Sequence, residues 1–478
     1  MNNLAYKLLV DKSIKRKVDI IQLLSESTDP ISVETIRLHC DVTKRTIQKE
    51  INYLIKNYPL IFELVQYNHQ ESLNKKVAVT ELHLLIDSFV SESPLFFVVE
   101  ELYEGKSELI TYYSDELYIS ESTIRKHFRR LRSVLQEYNL DLNLNPIEII
   151  GNEIDIRFFF FHYFRFAHKS SALYYREDQL SFIYQTIRKL VDTHGFVLNV
   201  DYYRVASWLV IFEKRISQGH TVHFEESFHE HFNHKTSYQK FKSAVKVFFS
   251  RGELFSDLSD HELLFAFITR LDTVIYETNK IFLPDDYWNE LSEFDSLIKD
   301  FFELQGLTIS LNGQLKITLQ SFLVNLSILS QLNPNFQRNS GQLKEIVNTN
   351  HLTTLEVWIE LLTMHTNFEH IYDIAVSLTI LTESKVRVKR NVLFALTGEP
   401  ITIPYYKAQA IKCVPKDMES HFLFNQPLDS QTLEKLEIDI CIYNVPINDK
   451  FNDCYKIKFS DIPSTTEWDE LQSYLHTL

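Results

Sequence analysis

Two short runs in the first third of the chain carry side chains suited to a polyanion. One is Thr43, Lys44, Arg45 and Thr46 with Gln48 and Lys49; the other is Ser120, Ser122 and Thr123 with Arg125, Lys126, Arg129 and Arg130. Guanidinium and ammonium groups contact phosphate oxygens or guanine, a glutamine amide pairs with the adenine edge, and capping hydroxyls fix backbone register. The formal net charge of -15 argues against such a partner unless charge is segregated along the chain. It is segregated: residues Met1 to Pro59 hold 10 Lys/Arg against 7 Asp/Glu, and Ser120 to Arg132 holds Arg125, Lys126, Arg129, Arg130 and Arg132 against Glu121. A phosphate responds to the field within a screening length of about 8 Å, so an acidic bulk does not cancel a local basic helix.

The elements that would position these groups repeat. Val42 to Leu54 aligns with Ile119 to Leu131: a β-branched residue, a Ser/Thr cap, a Thr-Ile pair and a shared Lys, then apolar residues at helical spacing. Ile47, Ile51 and Leu54 in the first copy, and Ile124, Phe128 and Leu131 in the second, turn inward and leave the basic groups outward. A brace helix is predicted before each, over Ser32 to His39 and Ser107 to Tyr113, with a tight turn through Asp41-Val42 or Leu117-Tyr118-Ile119. Helix, turn and second helix is the arrangement that sets its second helix in the major groove. A further helix over Lys12 to Ser27, with Ile14, Val18, Ile21 and Leu24 inward, completes a three-helix core for copy one. After copy two, Leu140 to Gly151 alternates apolar and polar residues around Asn145-Pro146 and predicts a β-hairpin wing.

The remainder predicts a mainly α multidomain protein. A chain of 478 residues exceeds one core, and only 9 Gly and 12 Pro disfavour an all-β fold. Helices are expected over Ile154 to Phe166, Gln179 to His194, Tyr202 to Gln218 and Ser237 to Arg251, then, after a break near Leu283-Pro284-Asp285, over Tyr287 to Leu304, Leu315 to Gln331, Ser340 to Asn348, Thr353 to His365 and Glu369 to Thr382. Short apolar runs at Asn391 to Thr397, Ile438 to Asn444 and Tyr455 to Phe459 predict strands of an α/β segment. The four cysteines (Cys40, Cys413, Cys441, Cys454) have neither disulfide nor zinc spacing and read as reduced thiols. No secretion signal or membrane span is read, so a cytoplasmic location is expected. His220, His223, His229, His231 and His234 have spacings that would suit zinc, but a connection between helices needs no ion, and no metal or cofactor is expected. Without a phosphate-cradling glycine loop, triad or metal-hydrolase motif, no enzymatic activity is expected.

With those residues in view, the chain resembles the Mga/AtxA-like transcription regulators of Gram-positive bacteria, which often govern virulence genes. The resemblance implies two N-terminal helix-turn-helix domains (1–75, and 76–152 with a wing), two helical-bundle domains of the phosphotransferase-system regulation type (153–283 and 284–390), and a C-terminal α/β domain similar to a phosphotransferase IIB subunit (391–478). It further implies a homodimer or higher oligomer on double-stranded DNA, with phosphotransferase-system proteins and RNA polymerase as further partners. Such helical domains are phosphorylated on histidine, yet the slots fall at Tyr203-Arg204 and near Leu381; His365 and His370 are the nearest candidates to the second. The IIB cysteine position holds Thr397-Gly398-Glu399, so an interaction module without phosphotransfer is expected. The competing reading is a phosphotransferase-system component or phosphocarrier in sugar uptake.

Overall fold

The computed structural model describes residues 3–164, 200–249, 258–276, 288–305, 313–339, 341–386, 391–415, 418–428, 438–444 and 454–477, with the single positions 181, 185 and 436. It is mostly helical and divides into two compact units, Met1–Leu381 and Thr382–Leu478.

The first unit opens with α1 (Asn3–Leu8) and α2 (Lys12–Glu26), whose N-terminus is capped by Asp11 accepting from the Ser13 and Ile14 amides. A short β1 (Ile31–Ser32) leads into α3 (Val33–His39) and α4 (Lys44–Asn57). Val18, Ile21, Leu24, Ile47, Ile51 and Leu54 are buried, as their helical spacing predicts, whereas Ile14, also expected inward, is half-buried near the start of α2; Ile36 of α3 joins this core. Strands β2 (Phe62–Tyr67) and β3 (Gln70–Lys75) then form a hairpin that pairs antiparallel with β1, in the order β1-β3-β2. The first copy therefore has a wing too, which sequence reading gave only to the second. Its turn is made by Asn68 and His69, both at positive φ (51° and 63°), the conformation a two-residue hairpin turn requires.

The second copy is built from α5 (Val79–Ser91), α6 (Pro94–Tyr103), α7 (Ile110–Glu116) and α8 (Glu121–Gln136), followed by the hairpin β4 (Asp141–Leu144) and β5 (Ile147–Ile150). The brace helix starts three residues later than Ser107 predicts. The Ser107 hydroxyl instead donates to the Ile147 carbonyl, and the Ile147 amide to the Glu108 carbonyl, so this stretch tethers the wing.

Beyond the second wing run α9 (Glu153–His162), α10 (Tyr202–Ser217), α11 (Glu226–Asn233), α12 (Thr236–Phe249), α13 (Asp260–Thr269), α14 (Trp288–Leu291), α15 (Asp295–Leu304), α16 (Gly313–Leu332), α17 (Gly341–Asn350), α18 (Leu352–His365) and α19 (Ile371–Val386). The predicted helix Gln179 to His194, apart from residues 181 and 185, and the break at Leu283-Pro284-Asp285 lie outside the described residues. The histidine-rich stretch, read from sequence as a connection, contains α11, with His229 and His231 on it. A 3-10 turn, Pro334–Gln337, follows α16 and reaches back: the Asn335 side-chain amide donates to the carbonyl of Glu137, the residue that caps the C-terminus of α8 (3.1 Å), and Phe336 packs on Phe158 and Trp208.

The second unit is an α/β layer with strands β6 (Asn391–Leu396), β7 (Glu419–Phe424), β8 (Ile440–Tyr443) and β9 (Tyr455–Lys458), all parallel in the order β7-β6-β8-β9. Helix α20 (Ile403–Cys413) connects β6 to β7, and α21 (Thr465–Thr477) packs against α20. Three of the strands match the predicted apolar runs. The edge strand β7 departs from the predicted runs because ESHFLF mixes polar and aromatic residues, with Phe422 and Phe424 packing on one core cluster and Leu423 on the other.

Candidate nucleic-acid interface

The two helix-turn-helix units share one hydrogen-bond pattern at an offset of 77 residues. In the first, the Asp41 amide donates to the Leu38 carbonyl and Val42 to Arg37; in the second, Tyr118 donates to Asp115 and Ile119 to Ser114. The turn residue lies at positive φ in both, Asp41 at 48° and Tyr118 at 53°. The Thr43 hydroxyl accepts from the Thr46 amide and the Ser120 hydroxyl from the Thr123 amide, each at 3.3 Å. These caps satisfy amides that the helix would otherwise leave open, and fix where each helix begins.

Helix α4 presents Lys44, Arg45 and Lys49, all exposed, with the half-buried Gln48 and the exposed Asn52. The five line one shallow depression on its outer face. Asn52 belongs with the site although sequence reading did not name it; its place one turn beyond Gln48 was the available signal. On the inner face Glu50 is buried, accepting from Ser13 and pairing with Arg16 (2.7 Å) and Lys17 (3.6 Å), which binds α4 to α2.

Helix α8 exposes Ser122, Arg125, Lys126 and Arg129. Arg125 reaches Glu121 at 3.3 Å, and the Arg129 Nε lies 3.4 Å from the Arg125 carbonyl. Two arginines depart from this face. Arg130, expected toward the groove, donates its Nε to the Lys7 carbonyl at 2.8 Å, because its phase on the helix places it beside α1. Arg132 pairs with Asp141 at the base of the wing. Helix α1 is held to α8 a second time by the Lys7 ammonium on Glu137 (2.5 Å).

The remaining candidates lie apart from these helices. His365 faces α15, with Nε2 2.8 Å from Asp300 and Nδ1 3.4 Å from Ser296. His370 accepts from the Arg338 Nε at 3.3 Å, and burial, reinforced by Arg338, holds its imidazole below the usual range. Tyr203 is exposed, while Arg204 is paired with Asp272. Among the described residues, no group of three His, Cys, Asp or Glu is placed to hold a metal ion. Nor, among them, is any single helix long and apolar enough to cross a membrane.

In the second unit, Thr397 and Gly398 are latched rather than open. The Thr397 amide donates to the Asn444 side chain (2.7 Å) and the Gly398 amide to that of Asn425 (2.9 Å). A Cβ on Gly398 would fall 2.8 Å from the Tyr406 ring, so α20 packs here as closely as glycine allows. Cys413 and Cys441 are both buried, and burial pushes the Cys441 thiol up to about 12.

Residues 79–164, which run from α5 through α9, match the Mga helix-turn-helix domain. The chain is also 24% identical over 221 residues to the capsule synthesis positive regulator AcpA of Bacillus anthracis, a match covering 45% of each protein. It is 21% identical over 224 residues to a putative trans-acting regulator of Streptococcus pneumoniae serotype 4 (46% of this chain, 44% of that one). It is 22% identical over 231 residues to the regulator AcpB of Bacillus anthracis (46% of each). The matches thus span a little under half the length of these relatives. The matched domain and the relatives together make the chain similar to regulators with a Mga helix-turn-helix domain.

Proposed function

We propose that the protein is a DNA-binding transcription regulator that sets α4 and α8 into successive major-groove segments of one duplex. The observation that carries this reading is the repeated unit itself: two capped helices with the same turn hydrogen bonds, each turning a basic face to solvent from an otherwise acidic chain. Lys44, Arg45, Lys49, Arg125, Lys126 and Arg129 contact phosphate or guanine. Thr43, Thr46, Ser120, Ser122 and Thr123 fix the backbone register, and Gln48 reads a base. Residues 1–75 and 76–152 form the two DNA-binding domains, and the helices from α9 to α19 form two regulatory domains divided near residue 284.

The C-terminal unit, similar in strand character to a IIB subunit, is an interaction module that supports assembly of a homodimer or larger oligomer. Its buried thiols and latched 397–398 loop favour contact over phosphotransfer. The protein acts without catalysis, with phosphotransferase-system proteins and RNA polymerase as its protein partners. Oligomerisation raises affinity by presenting linked binding sites at high effective concentration.

The test is a salt series. Binding to duplex DNA, followed by fluorescence anisotropy, should weaken steeply between about 50 and 200 mM salt, because each neutralised phosphate releases counterions. A flat dependence over that range removes the reading.

A further inference from the structure

Superposing the two units by their 77-residue offset sets Gln48 against Arg125 and Asn52 against Arg129, with Lys49 against Lys126 between them. The same two positions on the outer face are thus an amide pair in α4 and a guanidinium pair in α8. The amides are available: among the described residues neither the Gln48 nor the Asn52 side chain has a hydrogen-bond partner, and both line the depression that also holds Lys44, Arg45 and Lys49. The guanidiniums are partly engaged within α8, Arg125 with Glu121 and Arg129 with the Arg125 carbonyl.

We infer that the two units divide the work: α4 selects sequence through Gln48 and Asn52, whereas α8 supplies phosphate affinity through Arg125 and Arg129. This deepens the DNA-binding reading above and rests on it. An uncharged amide gains little from a phosphate in water, but it offers one donor and one acceptor side by side. That pattern matches the N6 donor and N7 acceptor of adenine in the major groove. Residues i and i+4 stand about 6 Å apart along a helix, so the two amides span about two base-pair steps of 3.4 Å. The arginines neutralise charge wherever the backbone passes, which gives affinity with little dependence on sequence.

The experiment is selection from a random-sequence duplex pool by the full-length protein and by three variants. The unaltered protein should enrich a motif with two A·T pairs within about two steps of each other. Q48A/N52A should lose preference at those positions by about tenfold or more each, while its salt dependence stays that of the unaltered protein. R125A/R129A should keep the motif and lose about two units of salt slope. Gln48→Glu, which leaves only acceptors, should move one preferred pair from A·T toward C·G and so reads the contact without relying on truncation. Q48A/N52A enriching the same motif at undiminished ratio, or Gln48→Glu leaving it unchanged, overturns the division of work alone. An unaltered protein that enriches no DNA overturns the DNA-binding reading, and this inference with it.

Discussion

The guanidinium of Arg157 and the carboxylate of Glu262 meet as a bidentate pair, at 2.6 and 2.8 Å, where neither side chain reaches solvent. Arg157 also donates to Glu153, which Arg215 clasps in turn at 2.7 Å. Burial alone would raise the Glu153 carboxyl, but the two arginines hold it below the usual carboxylate range. The Val222 amide donates to Glu262 as well, so the carboxylate is satisfied from two elements. The cluster fastens α9, which emerges directly from the second wing, to α10 and α13.

Arg157→Met should therefore be severely destabilising, by about 3–5 kcal/mol, because it leaves Glu262 charged and dry without its partner. Denaturant unfolding measures this. Pairing the change with Glu262→Leu should recover much of the loss, and an unshifted midpoint for Arg157→Met alone would refute the role of the pair.

On α8 the prediction separates neighbouring arginines. Arg125→Ala combined with Arg129→Ala should weaken duplex binding and lower the salt slope by about two units, without altering the unfolding midpoint. Arg130→Ala should do the reverse, since its Nε is spent on the Lys7 carbonyl. Anisotropy titrations and thermal melts on the same samples decide between them.

Asp155 gives a pH dependence with a definite sign. Burial raises its carboxyl to about 6, against which the hydrogen bond from Asn333 acts. A raised folded-state value means that protonation favours the fold. Stability from this group is complete below about pH 4 and is lost as pH rises through about 6. Asp155→Asn should remove that dependence and stabilise the protein above pH 6, by something on the order of 2 kcal/mol. Melting temperatures between pH 4 and 7 check it, and an unchanged profile would show that the carboxyl is better solvated than its burial indicates.

The thiols should be sluggish. Burial raises Cys413 and takes Cys441 to about 12 and Cys40 to about 11, so little thiolate exists at neutral pH. Native iodoacetamide labelling read by mass spectrometry should leave Cys413 and Cys441 unmodified until denaturant is added. Rapid labelling of either would reopen a chemical role for the C-terminal unit.

The reading helices were legible because their signals are local. Thr43 and Ser120 cap within three residues, and Ile47, Ile51, Ile124 and Phe128 declare an inward face by spacing alone. The wing of copy two showed itself by strict alternation around Asn145-Pro146. The wing of copy one did not: FELVQY and QESLNK alternate weakly, and β3 is pinned by pairing with Ile31 and Ser32, some forty residues earlier. The contact of Arg130 with α1 has no local signal for the same reason, since its acceptor lies 123 residues away on a short helix. The buried cluster around Arg157 draws its members from 110 residues of chain, and no spacing announces it.

The turn Pro334–Gln337 places the helical region in mechanical contact with one reading helix. Asn335 grips the carbonyl of Glu137, which caps α8, while Phe336 is wedged against Phe158 just behind the wing. Because the turn follows α16 directly, this contact ties the position of α16 to the C-terminal end of α8.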